Sequence, residues 1–106
     1  MPKYMVQASY TVEGLRGLQK DKATGRRDAV GQSVAALGGR LESYHFALGD
    51  HDVVAIVDLP DMVTITALVM AISATGLART KTTALLTVEE ADRALQTSVA
   101  YRGPGR

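Results

Sequence analysis

The chain has 106 residues, the length of one domain with no room for a second. An apolar fraction of 46% and a charged fraction of 22% exclude wholesale disorder, and a formal net charge of +1 leaves no general attraction to nucleic acid or anionic lipid. The absence of cysteine excludes disulfides, thiolate metal sites, iron–sulfur clusters and a Cys nucleophile together.

Lys3 to Tyr10 carries Tyr4, Val6 and Tyr10 with no breaker, and is expected to form the first strand. Thr11 then reads as a helix N-cap, because its hydroxyl can accept from an orphaned backbone N–H. Gly14, Gly17 and the polar run Gln19 to Thr24 predict only a short, poorly formed helical turn followed by a break. A firmer helix is expected from Thr24 to Leu37. There Val30, Val34 and Leu37 share one face, and Gly38-Gly39 supplies the stop.

Arg40 to Leu48 predicts a second strand, with Leu41, Ser43, His45 and Ala47 on one side and Glu42, Tyr44, Phe46 and Leu48 on the other. Gly49-Asp50-His51-Asp52 is a turn. Asp52 to Leu59 is a third strand, and its unbroken apolar run Val53 to Val57 is the pattern of burial on both faces. The connection is too short for a crossover, so strands two and three form an antiparallel hairpin. Asp61 caps a second helix with the stripe Ile65, Leu68, Val69 and Ile72, ended by Gly76. Ala78 to Thr87 is a fourth strand and Val88 to Ser98 a last helix, with Ala91, Ala94 and Leu95 on one side.

The order βαββαβ plus a terminal helix predicts an α+β, ferredoxin-like fold: a four-stranded antiparallel sheet with two helices on one face. Residues 1–100 are expected to form the domain and the tail 101–106 to fray. Two helices cover one sheet face only. Apolar residues in both phases of Val53–Val57, with Tyr4, Val6, Leu85 and Leu86, therefore predict a homodimer or higher homo-oligomer that covers the other. Met62, Val63, Ile65, Leu68, Val69, Met70 and Ile72 span more than half the circumference of the second helix. Either the terminal helix covers that surplus or dimers assemble further. Met1 to Val6 has no signal-peptide pattern, and the uncharged stretch Met62 to Ala78 is short for a membrane span, so a cytoplasmic protein is expected.

Six short segments in order resemble the GYD-domain family within the dimeric α+β barrel superfamily. They are Tyr10-Thr11-Val12-Glu13-Gly14, Arg26-Arg27, Leu37 to Leu41, Gly49 to Val54, Leu59-Pro60-Asp61 and Gly76 to Thr82. The resemblance covers roughly residues 3 to 95. The namesake Gly-x-Tyr-Asp appears here as Gly49-Asp50-His51-Asp52, with His51 in the Tyr position, so no role of that Tyr hydroxyl carries over. The resemblance implies a ferredoxin-like subunit whose sheets pair face to face. Relatives in the wider superfamily use the cleft between sheet and helices for small molecules, as cofactor-independent monooxygenases, haem-degrading enzymes, isomerases and ligand-sensing modules. That breadth does not choose a function.

The densest polar group is His45, Asp50, His51 and Asp52. Imidazole can transfer protons near neutral pH, which makes His51 and His45 the candidate catalytic residues. Asp is also favoured in turns for backbone reasons, so a structural role stands beside the chemical one. Arg26, Arg27, Arg79 and Lys81 form a second group. If Arg26 or Arg27 approaches from the helix start, the group can hold a carboxylate or phosphate bidentately, and Arg27 and Arg79 are the candidate anchors. The favoured reading is a solvated edge with surface ion pairs to Glu42, Asp50 or Asp58. Tyr10, Tyr44 and Asp52 complete the candidate ligand-binding set. The two imidazoles and two carboxylates are also suitable metal ligands, the least favoured of the three readings. No spacing marks a P-loop, a dinucleotide loop or a hydrolytic triad, and no cofactor is expected.

The leading expectation is a homodimeric barrel that binds a small molecule or partner without catalysis. One alternative is a cofactor-independent enzyme of isomerase or monooxygenase type, with His51 or His45 as base and Arg79 as anchor. Another is an assembly element built on the second helix.

Overall fold

A computed structural model describes residues 1–106. The elements are β1 (Lys3–Tyr10), α1 (Val12–Ala36), β2 (Arg40–Phe46), β3 (Val53–Asp58), α2 (Met62–Ala74), β4 (Ala78–Leu85) and α3 (Val88–Gln96). The four strands form one antiparallel sheet in the order β2-β3-β1-β4. This is the expected ferredoxin-like α+β fold.

The core follows from strand alternation. Tyr4 and Val6 of β1 and Val57 of β3 point to the helix side, where Val34 of α1 and Ile65 and Leu68 of α2 close over them. Val30, Leu37, Leu41, Val69 and Ile72 pack around this centre. Burial lets the apolar groups leave water, which contributes about 1.5–3 kcal/mol for each large side chain. α1 lies over β2 and α2 over β4, with no extended packing between the two helices.

Both helices on the sheet end as their sequences dictate. Leu37 caps α1, and Gly38 follows with φ +83°. The Gly38 N–H donates to the Ala35 carbonyl and the Gly39 N–H to the Val34 carbonyl, each at 3.0 Å, which satisfies carbonyls the helix leaves orphaned. Gly39 is also required by space, because a Cβ there would lie 2.1 Å from the Asp58 carbonyl oxygen. α2 starts on Asp61, whose carboxylate accepts the Thr64 N–H at 2.9 Å.

Several sequence expectations are corrected. Val12–Ala36 forms two well-made helical pieces around a single non-helical residue, Lys22, at φ 63° and ψ 169°. The first piece is no weak turn, because its start is tied down: the Thr11 side chain accepts the Gly14 N–H, and the Thr11 N–H donates to the Leu77 carbonyl at 3.0 Å. The shorter β2 and β3 reflect the wide turn from Ala47 to Asp52, where the Ala47 N–H reaches the Asp52 carbonyl at 2.8 Å. β4 stops at Leu85 because Thr87 is taken as the cap of α3.

The side assignment of β2 is also changed. Leu41 pairs with Val57 and Ser43 with Ile56, so Glu42 is an extra, bulged residue. The bulge turns Leu41 to the helix side of the sheet with Tyr44 and Phe46, whereas strict alternation set it opposite them. Tyr4 and Val6 likewise both face the helices. The apolar content of the other, open sheet face is therefore Met5, Val54, Ile56 and Leu85, all partly buried.

One end of the open face is clasped by charge. Buried Asp58 accepts from Lys3 at 2.7 Å through one carboxylate oxygen and from Arg40 at 3.2 Å through the other, and Lys3 also meets Glu42. The clasp joins β1, β2 and β3. No helix is long and apolar enough to cross a membrane.

The Lys3 ammonium, with Arg40 adding to it, holds the Asp58 carboxyl below its ordinary value of 3.8. Its stabilisation is therefore complete above that value and is lost as pH falls below it. Asp58→Asn is expected to cost about 1–2 kcal/mol at pH 7. It should also flatten the acid limb of stability below the ordinary carboxylate range, as measured by urea unfolding between pH 7 and pH 2.5. An unchanged acid limb would show that other carboxylates govern it.

Candidate functional site

Because α1 and α2 stand apart, the middle of the sheet is roofed incompletely. The strand residues there are small: Ala8 on β1, Ala55 on β3 and Ala78 on β4. The result is a cavity of about 70 Å³ between sheet and helices. Its walls are apolar, with Val6, Val53 and Val57 below and Val30, Leu68 and Ile72 above. Past Tyr10 and Arg26 it continues into a groove of about 330 Å³ between the first piece of α1 and α2.

Polar side chains in its wall are few. Tyr10 and Tyr44 line the cavity with Arg26, the one charged residue among its walls, and Thr80 adds a hydroxyl. Arg26 comes down from α1 on the same stripe as Val30 and Val34, at helical spacings of four. Its nearest carboxylate is Asp21, at a long 3.5 Å on an exposed edge, a pairing of small worth. The guanidinium therefore keeps most of its hydrogen-bonding capacity. Tyr44 is fixed by an edge-to-face contact with Phe46, with ring centroids 5.6 Å apart.

Burial pushes the Tyr44 hydroxyl above its ordinary value of 10.0, and the neighbouring Tyr10 adds to the rise, while the Arg26 charge opposes it. Tyr44 is thus a hydrogen-bond donor at any pH near neutrality. Two phenols and a guanidinium in the wall of an apolar cavity are donors chemically suited to an oxygen acceptor, above all a negatively charged one.

Asp52 supports this polar group. Its carboxylate accepts the Tyr10 N–H at 2.8 Å, and its own N–H donates to the Ala8 carbonyl at 2.8 Å. It bonds β1, where the turn's own N–H groups were the other option. Asp52 therefore positions Tyr10 from behind.

The other candidates lie elsewhere. Arg27 sits on the outer side of α1, 3.2 Å from Asp28. Arg79, paired in register with Ser9, and His45, paired with Val54, are on the open sheet face. His51 folds over the end of that face, with Nδ1 3.2 Å from the Ser9 hydroxyl. The structure thus brings together Tyr10, Tyr44 and Asp52, and keeps His45, His51, Arg27 and Arg79 apart from them. Arg26 is the cavity residue that the choice of Arg27 passed over, and the stripe it shares with Val30 and Val34 is the signal that marks it. No three His, Asp or Glu side chains converge as metal ligands would.

Among known protein families, the model described as the GYD domain matches residues 4–95. No curated protein and no solved structure matches the chain.

The raised Tyr44 value carries a sign. Stability linked to this group is complete below the ordinary phenol range and is lost as pH rises above it, because the unfolded chain ionises first. Tyr44→Phe is expected to remove that alkaline loss between pH 10 and 11.5, and to remove the latest-ionising component of the 295 nm tyrosinate absorbance. If the variant keeps all late-ionising absorbance, the hydroxyl is not buried in the way described.

Proposed function

The chain belongs to the GYD-domain family, and on that premise we propose that it is a homodimeric binding subunit. It takes up a small apolar molecule with an acidic head group in the cleft between sheet and helices, and performs no catalysis of its own. One observation carries the reading: an apolar cavity whose only charged wall residue, Arg26, shares the wall with two phenols, Tyr10 and Tyr44. Ligand pockets of this type use a mostly apolar lining for affinity and a few convergent polar groups for orientation. The cavity alone takes only a few heavy atoms, and the adjoining groove gives room for the rest. In this assignment the apolar body lies on Ala8, Ala55 and Ala78. The acidic oxygen displaces the loose Asp21 contact and bonds Arg26, with Tyr10 and Tyr44 as further donors.

Dimer formation rests on the open sheet face. Met5, Val54 and Ile56 form its centre, flanked by polar groups at both ends, the layout of an apolar core with a polar rim. A second copy placed face to face would cover it. The histidines named for the enzymatic alternative line that face and not the cleft, which favours binding over proton-transfer chemistry. No cofactor enters this reading.

The test is methyl NMR with benzoate as probe. Benzoate is expected to shift the methyl signals of Ala8, Ala55 and Ala78, and benzamide to do so at least tenfold more weakly. Arg26→Met should weaken benzoate about tenfold, the worth of one charged hydrogen bond of about 1.4 kcal/mol, and Arg27→Met should leave it unchanged. Alanine methyls that ignore benzoate and benzamide alike would overturn the reading.

A further inference from the structure

The nine-residue α3 is an amphipathic helix without a neighbour. None of its residues is buried, and it makes no extended packing with any strand or other helix. It projects from the end of β4. The radius of gyration is accordingly 16.9 Å, against about 13 Å for a compact chain of this size. Val88, Ala91 and Leu95 share one side of the helix, and Val88 and Leu95 are 75% and 84% exposed. Leu86 before the helix and Val99 and Tyr101 after it are exposed as well.

The helix start is finished to a high standard. Thr87 accepts the Glu90 N–H at 3.0 Å, and the Glu90 carboxylate accepts the Thr87 N–H at 2.9 Å. Nine residues remain too few to hold a helix in water by local forces, even with such a cap. Its order therefore depends on burying the apolar side.

The body offers one surface of matching character. The outer face of α2 exposes Met62 and Val63, at 72% and 78%, together with Thr66, Ala67 and Met70. From Met62 to Ala74 the helix carries no charged residue at all. Ala67 and Thr66 lie low between the methionines, which leaves a shallow trough where another helix can approach closely. At 1.5 Å per residue α2 is about 19 Å long and α3 about 13 Å, so the trough accepts the whole stripe.

We infer that α3 is an exchange arm, and that its apolar stripe packs on the outer face of α2 in a second copy of this chain. Within one copy the two helices make no extended packing, and both surfaces stand exposed. An uncharged α2 face presents nothing that would select a foreign partner, whereas the complementary stripe is present in every copy. A reciprocal exchange satisfies both surfaces of both copies at once, as a two-fold interface must. Two arms, each with five large apolar side chains between Leu86 and Tyr101, bring the buried area to the order of the 1,600 Å² of a standard stable interface. The charged side of α3, with Glu89 and Arg93, stays in water. The inference is independent of the ligand reading and uses a different surface from the open sheet face.

The absence of native cysteine makes the test clean. The single variants Leu95→Cys and Met70→Cys, co-expressed and mildly oxidised, are expected to give a disulfide-linked pair that neither variant gives alone. The double variant should cross-link between chains. Leu95→Glu should lower the assembly mass or the melting temperature at equal concentration, and Arg93→Gln on the wet side should change neither. A double variant that closes its disulfide within one chain would show that α3 folds back on its own copy, and would overturn the inference. So would the absence of any Leu95–Met70 cross-link in folded protein, or an assembly indifferent to Leu95→Glu.

Discussion

The Asp52 carboxylate holds the Tyr10 N–H while the Asp52 backbone holds the Ala8 carbonyl and the Ala47 N–H. Three segments meet on this one residue: the end of β1, the end of β2 and the start of β3. Without it the hairpin would be joined to β1 only by the regular ladder, which fades toward strand ends. With it, the last residue of β1 has a fixed backbone, and the Tyr10 ring is aimed across the cleft. Asp52 is a positioning residue: its carboxylate is spent on a backbone amide and does not reach the cavity.

The cleft itself is a consequence of what the central strands lack. A ferredoxin-like subunit with leucine or valine in place of Ala8, Ala55 and Ala78 would fill the space under its helices. Here the alanines leave it open, and the helices are held where they cannot slide together to close it. α1 is anchored at its start by Gly14, where a Cβ would come within 1.9 Å of the Leu77 carbonyl oxygen. It is anchored further on by Val34, which is wholly buried. Each contact missing around the void forfeits dispersion energy, so the alanines carry a packing cost. The void and the polar trio in its wall are adjacent features of the same sheet and of α1.

Much of this was legible in the sequence because it rests on local rules. The Val30, Val34, Leu37 stripe, the glycine stop at Gly38, the Asp61 cap and the hairpin between β2 and β3 each depend on a few adjacent residues. The features that escaped depend on single-residue phase or on distant contacts. Glu42 has the same polar character whether it bulges or alternates, so nothing in the pattern marks the bulge that turns Leu41 inward. Arg26 and Arg27 are identical in type, and only their relation to Val30 separates the one in the cavity from the one in water. The glycines and polar run after Thr11 read as a weak turn because the contact that secures it, to Leu77, lies more than sixty residues away. The isolation of α3 has no local signature either, since an amphipathic stripe announces a partner without naming it.

Lys22 interrupts α1 in a backbone region that only glycine occupies freely, at a cost of about 1–3 kcal/mol. The hydrogen-bond ladder does not run through it, so the two pieces of α1 answer to different anchors. The earlier piece is fastened to the loop between α2 and β4, and the later piece to the hydrophobic core. Mechanically they are two bodies joined at one residue, and their amides need not open together. Residues 12–21 depend on their contacts with the Leu77 loop, while 24–36 depend on the core. The wall of the groove beside Arg26 is thus built mainly from the piece that depends on the loop.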